Sequence, residues 1–292
     1  MFPSRFRYEA PHSLDEAIGL LHDGGDYVKV LAGGQSLVPM MKLRFAAPEM
    51  LVDINDVPGL AYHRADPDGT LHIGALCRHA DLERSDLLNG TQPTMAAAAP
   101  LVADPLVRNR GTLVGSLCHA DPQGDWASVM LALGGSVIAQ GRSGRRAIPL
   151  ADFVTGPFQN VLEHDEIAVE AVVPKALGTR AGGYLKLERR VGDFATVGTA
   201  VAIETSGGTV TRAGIALTGV GGSTIGATEA AAALTGKPLT AETIAEAAEL
   251  AASAAQPRTD HRGTAEYKRQ MVRVFVKRIL GGTLTATVER AA

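Results

Sequence analysis

The chain has 292 residues, of which 46% are hydrophobic and 20% charged, and its formal net charge at pH 7 is −3. This length allows two domains with hydrophobic cores, and the charge gives no indication of a nucleic-acid partner or a charged membrane surface. No apolar run approaches the roughly 18 residues that would cross a bilayer, so we expect no transmembrane segment. The N-terminus lacks the apolar segment of a signal peptide, which favours a cytoplasmic location.

The cysteine and histidine patterns predict no metal centre on this chain. Cys77 and Cys118 form no CxxC pair, and the eight histidines include no HExxH motif. We therefore expect neither an iron–sulfur cluster nor a zinc–cysteine site. A Rossmann fingerprint and a Walker motif are also missing from the sequence.

The first third of the chain alternates helices with strands. Ser13 and Glu16 form a capping box that predicts a helix ending at Gly24 and Gly25, and a strand follows at 27–31. Further along, the hydrophobic pattern predicts strands at 51–54 and 70–75, and helices at 80–88 and 93–102, the second of them stopped or kinked by Pro105.

Paired glycines, Gly33 and Gly34, directly follow the strand at 27–31. Glycine can adopt positive φ and has no side chain, so the backbone here can approach a ligand closely. Gln35 and Ser36 add side-chain donors, and successive backbone amides in such a turn bind anions. We therefore consider the hypothesis that this loop holds the pyrophosphate of a dinucleotide. An ordinary Gly–Gly turn is the alternative, and taken alone the loop favours it.

A polar, glycine-punctuated stretch at 107–126 lies between two apolar runs that are predicted to be helical. A loop of this composition between buried helices is a candidate binding loop. The alternative is an irregular connector whose charged residues face water, with Asp121 capping a turn.

The second half of the chain predicts a hairpin and then an antiparallel sheet with helices. Strands are expected at 136–139, 147–150 and 167–173, and a polar domain boundary follows at 175–183. Beyond the boundary, antiparallel strands are expected at 184–187, 196–204 and 210–218. Helices are expected at 227–234, 241–254 and 264–280. In the last helix Met271, Phe275 and Ile279 repeat at helical spacing and are expected to face the core.

Charged residues cluster at 186–193, between two of these strands. A solvated corner is the ordinary interpretation of alternating charges. Lys186 with Arg189 and Arg190 could instead face an anionic or electron-rich ring, because a cation near a reduced flavin stabilises its negative charge.

Taken together, three of these stretches occur in the same order in one known family. The three stretches are AGGQS after a strand, TxxGS-x₅-P-x₂-D about eighty residues later, and K-x₂-RR-x-GDFA. The tail at 257–263, followed by AEYKRQM, matches the same family as well. The sequence resembles, over essentially its whole length, the FAD-binding medium subunit of the molybdenum hydroxylases, the xanthine dehydrogenase family. Within that family it looks most like the carbon monoxide dehydrogenase branch.

The resemblance implies a set of FAD-binding residues and no catalytic residue. In the family the first loop wraps the pyrophosphate, the second loop also holds the dinucleotide, an acidic residue contacts the ribose, and a lysine lies near the isoalloxazine ring. The cofactor-binding residues implied here are Lys29, Val30, Leu31, Ala32, Gly33, Gly34, Gln35, Ser36, Val102, Thr112, Gly115, Ser116, His119, Asp125, Ile167, Val169 and Lys186. Val114 stands where the family usually has glycine.

The implied fold is α+β. Two N-terminal α/β subdomains of the vanillyl-alcohol-oxidase type, about 1–55 and 56–176, clasp FAD. A C-terminal domain, 177–292, combines a three-stranded antiparallel sheet with a helical bundle.

The resemblance also implies partners and a division of labour. A molybdenum-cofactor large subunit oxidises the substrate, and [2Fe-2S] clusters of a small subunit deliver electrons to FAD on this chain. A quinone-type acceptor then takes the electrons, in the cytoplasm or at the inner face of the membrane. Three alternatives remain open, namely a xanthine- or aldehyde-type complex, a stand-alone FAD oxidoreductase, and a flavin-free structural subunit.

Overall fold

The chain begins with a small parallel sheet flanked by two helices. The computed structural model describes residues 2–291, with side chains to residue 284. The sheet contains β1 (Arg7–Glu9), β2 (Val28–Leu31) and β3 (Met50–Asp53) in the order β1-β3-β2, and the helices are α1 (Leu14–Gly24) and α2 (Leu37–Lys42). The Ser13 half of the predicted capping box is confirmed, because the Ser13 hydroxyl accepts a hydrogen bond from the Glu16 amide at 3.2 Å. The Glu16 carboxylate accepts from the His12 amide at 3.0 Å instead of the Ser13 amide, so the reciprocal half was wrong. Gly25, with φ of 60°, ends α1.

A five-stranded antiparallel sheet forms the next unit. Its strands are β4 (His63–Ala65), β5 (Leu71–Gly74), β6 (Ser136–Gly141), β7 (Gly144–Pro149) and β10 (Ile167–Val173), in the order β4-β5-β10-β6-β7. A separate two-stranded hairpin joins β8 (Val154–Gly156) to β9 (Gln159–Asn160). Six helices lie between β5 and β6: α3 (His79–Glu83), α4 (Asp86–Thr91), α5 (Pro93–Ala98), α6 (Pro105–Arg108), α7 (Leu113–His119) and α8 (Asp125–Ala132). The short α9 (Leu150–Phe153) follows β7.

The C-terminal part is a second antiparallel sheet with three helices. The strands are β11 (Thr179–Leu187), β12 (Val197–Ser206), β13 (Thr209–Thr218) and β14 (Ile225–Gly226), and the helices are α10 (Thr228–Leu234), α11 (Ala241–Ala254) and α12 (Ala265–Ala291). The sheet has four strands where three were predicted, because a two-residue strand pairs with the end of β13.

Two hydrophobic cores share this second antiparallel sheet. One face packs against α5 and α8 and joins a core that contains the buried Trp126, Met130 and Phe153. The other face packs against α10, α11 and α12, where Phe275 and Ile279 are buried as predicted. The chain's N-terminal and C-terminal parts are therefore held together by a continuous apolar contact through the sheet.

Three local predictions were wrong. The helix predicted at 80–88 is two helices, because the Ser85 hydroxyl accepts from the Leu88 amide and starts a new one. Pro105 opens α6 instead of ending a helix, since proline fits the first helical turn. The predicted loop at 107–126 contains α7. β11 begins at Thr179, inside the polar segment 175–183, and the domain boundary expected there stays a prediction. Along residues 2–291, every helix is too short or too polar to cross a bilayer.

Candidate functional site

Two glycine-containing segments, one after β2 and one before α7, lie with their backbones in contact. A Cβ atom built on Gly33 would lie 2.8 Å from the Gly111 Cα and 2.9 Å from the Arg110 carbonyl carbon, and closer still to that carbonyl oxygen. Gly34 has a φ of 72°, the left-handed region that glycine tolerates best. The missing side chain of Gly33 therefore allows one loop to approach the other. The hypothesis from the sequence was that a pyrophosphate occupies this space.

The start of α7 is closed by its own cap. The Thr112 hydroxyl accepts a hydrogen bond from the Gly115 amide at 3.1 Å, and a Cβ on Gly115 would lie 2.7 Å from that hydroxyl. Gly115 and Ser116 remain half-buried. Val114 is only 2% exposed and belongs to the core. The side chain that replaces the family's glycine therefore points into the protein and leaves the exposed side of the loop unchanged.

A polar network that the sequence analysis missed joins the two loops. Asn55 donates from its side-chain amide to the Ala32 carbonyl at 2.8 Å and from its backbone to Asp53 at 2.9 Å. The Arg78 guanidinium donates both to the Asn55 side-chain oxygen and to the Arg110 carbonyl. Burial is the main cause of a lowered pKa at Arg78. One guanidinium thus fixes the distance between the loops, and the only sequence signal was the position of Asn55 just after a parallel strand.

His79 supports the second loop from behind. Its backbone amide donates to the Gly111 carbonyl at 2.9 Å, and its Nδ1 accepts from the Trp126 indole N–H at 3.0 Å. Burial, with smaller effects of Arg108 and Arg78, lowers the pKa of His79 to about 4. The imidazole is therefore neutral at pH 7 and serves as a hydrogen-bond acceptor.

Asp125 and Lys186 form a buried ion pair between α8 and β11. The Lys186 Nζ lies 3.0 Å from one Asp125 oxygen and 2.8 Å from the Leu101 carbonyl, and the Tyr184 hydroxyl donates to the other Asp125 oxygen at 2.6 Å. The Lys186 side chain is 1% exposed. Burial raises the pKa of Asp125, and Lys186 and Tyr184 oppose that shift. The predicted ribose and isoalloxazine contacts of Asp125 and Lys186 stay predictions, and the structure adds a direct link between the N-terminal and C-terminal parts.

A second carboxylate shares the same lysine. One Glu188 oxygen is 3.4 Å from the Lys186 Nζ, and no described residue donates a hydrogen bond to that buried oxygen. Two carboxylates therefore depend on one buried ammonium group for their charge compensation.

His119 ends α7 beneath the turn of the β8–β9 hairpin. Burial lowers the pKa of its imidazole, and Asp121, whose carboxylate oxygen is 3.9 Å from Nε2, acts in the opposite direction. The ring centroid lies 5.2 Å from that of Phe158, which is half exposed and has a φ of 58°. The Phe158 amide donates to the Ala120 carbonyl at 2.9 Å, which fixes the hairpin over this end of the helix.

The remaining predicted residues fall into two groups. Ile167, Val169 and Val102 are buried in the first core, on β10 and just after α5. Lys29, Val30 and Leu31 lie on β2, at the edge of the parallel sheet, with Lys29 exposed. The structure therefore brings the two loops together and places the three buried aliphatic residues behind them in the core.

The first loop retains donors that a phosphate could use. None of the described residues accepts a hydrogen bond from the backbone amides of Gln35 and Ser36. Gln35 is exposed and Ser36 half-buried, so this end of the loop is accessible to solvent. Unpaired successive amides with a neighbouring hydroxyl suit a phosphate oxygen. The residues present therefore fit a dinucleotide's pyrophosphate.

Comparison with known proteins matches nearly the whole chain. Residues 4–176 match the family described as the FAD binding domain in molybdopterin dehydrogenase, and residues 183–283 match the CO dehydrogenase flavoprotein C-terminal domain. The chain is 42% identical over 280 residues to the carbon monoxide dehydrogenase medium chain of Hydrogenophaga pseudoflava, covering 96% of this chain and 97% of that one. It is 40% identical over 286 residues to the 6-hydroxypseudooxynicotine dehydrogenase complex subunit alpha of Paenarthrobacter nicotinovorans, covering 97% and 96%.

A solved structure is similarly close. Carbon monoxide dehydrogenase from Hydrogenophaga pseudoflava superimposes with a TM-score of 0.91 at 44% identity, covering 96% of this chain and 98% of that chain. A quinoline 2-oxidoreductase from Pseudomonas putida 86 superimposes with a TM-score of 0.87 at 32% identity, covering 96% and 97%. The same fold thus occurs in proteins with different named substrates.

Proposed function

This chain belongs to the family of FAD-binding medium subunits of the molybdenum hydroxylases, and from that premise we propose that it is the electron-transfer subunit of a carbon monoxide-oxidising complex. Electrons would arrive from [2Fe-2S] clusters of a small subunit and leave to a quinone-type acceptor, while a molybdenum-cofactor large subunit oxidises the substrate. The observation that carries the proposal is the 42% identity to a carbon monoxide dehydrogenase medium chain over 97% of its length.

In this proposal the chain's own residues hold and orient FAD. The loop 32–36 and the segment 111–116 would bind the dinucleotide, because they are in backbone contact and the first retains unpaired amides. Asn55 and Arg78 act as positioning residues that keep the two segments together. When bound, FAD supplies chemistry that exchanges electrons singly or in pairs.

The other expected cofactor contacts belong to the same proposal. His119 lies near the second segment, and Val102, Asp125, Ile167, Val169 and Lys186 lie deeper in the protein. The buried ion pair supports a role for Lys186 and Asp125 in fixing the C-terminal part against α8. We also place the boundary between the FAD-binding and C-terminal domains near residue 176. The proposed location is the cytoplasm or, through the acceptor, the inner face of the membrane.

A second substrate class has support of nearly equal strength. The identity to the 6-hydroxypseudooxynicotine dehydrogenase subunit is 40%, two percentage points below the 42% to the carbon monoxide dehydrogenase chain. A complex that hydroxylates a nitrogen-containing organic substrate is therefore the alternative function. The medium subunit does not distinguish the two, because the proposed substrate site lies on a different subunit.

The test is to purify the chain with whatever copurifies and to follow its visible spectrum. We expect a flavin spectrum, a large and a small partner subunit, bleaching by carbon monoxide and recovery with a quinone. Bleaching by 6-hydroxypseudooxynicotine and not by carbon monoxide would assign the alternative substrate class. A lone yellow chain that is bleached by a small organic substrate would refute the subunit role, and a colourless chain that does not bind added FAD would refute the flavin assignment.

A further inference from the structure

Three potential metal ligands that belong to neither of the loops described above converge on the surface. His22, His164 and Asp165 each offer one ligand atom, and these atoms all lie within 4.8 Å of one another. The His22 Nδ1 is 3.1 Å from an Asp165 carboxylate oxygen. The two imidazole rings are stacked with centroids 6.1 Å apart and an interplanar angle of 26°. No local sequence pattern indicates this cluster, because His22 and Asp165 are 143 positions apart.

We propose that His22, His164 and Asp165 bind a divalent transition-metal ion of the zinc class, which links α1 to the segment preceding β10. Two imidazoles and one carboxylate are a common ligand set for such ions, with water completing the coordination. Calcium and magnesium are disfavoured, because both prefer sites made of oxygen ligands.

The distances suit this coordination after a small adjustment of side chains. Metal–ligand bonds of about 2.0–2.2 Å in a tetrahedral site place neighbouring ligand atoms about 3.3 Å apart. The His22–Asp165 pair is already at 3.1 Å. Both histidines are exposed, with the His22 side chain 43% exposed, so their rings can rotate toward a shared ion without disturbing the core.

The local electrostatics also favour a cation. His22 lies in the last turn of the eleven-residue helix α1, where the helix dipole is negative. The Asp165 carboxylate lies beside the same end of the helix, with one oxygen 3.1 Å from the His22 Nδ1.

An ion here would connect two structural units. His22 belongs to the helix that packs on the parallel sheet, whereas His164 and Asp165 precede the central strand of the five-stranded sheet. Metal bonds to both sides would replace one weak surface hydrogen bond with a firmer link. We therefore expect the ion to raise thermal stability without contacting the two loops of the candidate cofactor site.

Calorimetric titration of the full-length chain with zinc chloride, with and without added FAD, tests the proposal. We expect one zinc ion per chain with a micromolar Kd in both cases, and d–d bands of a low-coordinate site when Co²⁺ replaces zinc. His22→Ala and His164→Ala should each weaken binding at least about tenfold. His261→Ala, which removes another exposed histidine, is the matched control and should leave the Kd unchanged.

Two outcomes would overturn the proposal. One is the absence of stoichiometric binding at 100-fold molar excess of zinc over chain. The other is a double variant, His22→Ala with His164→Ala, that keeps its far-ultraviolet circular dichroism and binds zinc as tightly as the wild type. Neither readout depends on enzyme activity, so failure of this proposal is distinct from failure of the electron-transfer assignment.

Discussion

Replacing Gly33 by alanine tests whether contact between the two loops, and not the cofactor, requires a glycine. The added methyl group would lie 2.8 Å from the Gly111 Cα and 2.9 Å from the Arg110 carbonyl carbon, and both neighbours are backbone atoms. Backbone cannot rotate away as a flexible side chain would. The first loop must therefore move relative to the second.

The size of the effect follows from these distances. Ordinary van der Waals contact begins at 3.4 Å, so the distance of 2.8 Å to the Gly111 Cα alone requires a displacement of 0.6 Å, and the Arg110 carbonyl oxygen, which is closer still, requires more. Overpacking of this kind costs about 1–3 kcal/mol. We expect the free energy of unfolding of the FAD-free chain to fall by this amount. A displaced loop should also weaken FAD binding about tenfold, which corresponds to about 1.4 kcal/mol.

The assay is urea unfolding of the FAD-free chain, together with fluorescence titration of FAD. Gly19→Ala is the matched control, because Gly19 lies in α1 and a Cβ there would meet nothing within 4 Å. That substitution should be neutral or stabilise the chain by up to about 1 kcal/mol. A control that behaves as expected separates the loop contact from general effects of losing a glycine.

Two results would refute the reasoning. If Gly33→Ala leaves both the unfolding midpoint and the FAD affinity unchanged, the loops are not in tight contact. If FAD affinity falls while the FAD-free chain keeps its stability, the methyl group collides with the cofactor and not with Arg110, which is the explanation favoured by the sequence alone.

The remaining predictions concern the polar groups around these loops. Lys186→Met should lower the free energy of unfolding by about 3–5 kcal/mol, because it leaves buried carboxylates without their cation, and adding Asp125→Asn should restore part of the loss in a double-mutant cycle. Equal losses in the single and double variants would argue against the pairing. Arg78→Leu should weaken FAD binding, and the loss of binding free energy should exceed the loss of unfolding free energy. An unchanged Kd for FAD in titration would contradict the positioning role of Arg78. His79 has a pKa of about 4 in the folded chain, against an ordinary value of 6.5. As pH falls, the unfolded chain therefore binds a proton first. The free energy of unfolding should decrease between pH 6.5 and 4, by up to about 3 kcal/mol. The stability of His79→Gln, measured over the same range, should depend less on pH, and an identical slope would contradict the assignment.

Local sequence signals predicted most of the elements. The helix cap at Ser13, the strand before the paired glycines and the alternating strand 167–173 depend on neighbouring residues, and the structure confirms them. The errors occurred where one polar residue decided a boundary. Ser85 starts a helix inside an apparently continuous helical pattern, and Thr112 caps a helix in a stretch that is rich in glycine.

The sequence alone determined the family and the cofactor class and predicted the two loops, because motifs and hydrophobic periods are properties of short segments. Only the tertiary structure decided what those segments touch. Each of these contacts joins residues that are far apart in the chain. They are the close approach of Gly33 to Arg110, the bridge through Asn55 and Arg78, the ion pair of Asp125 with Lys186, and the cluster of His22 with Asp165. Contacts of this kind depend on how sheets and helices pack in space, and no local pattern of residues encodes that packing by itself.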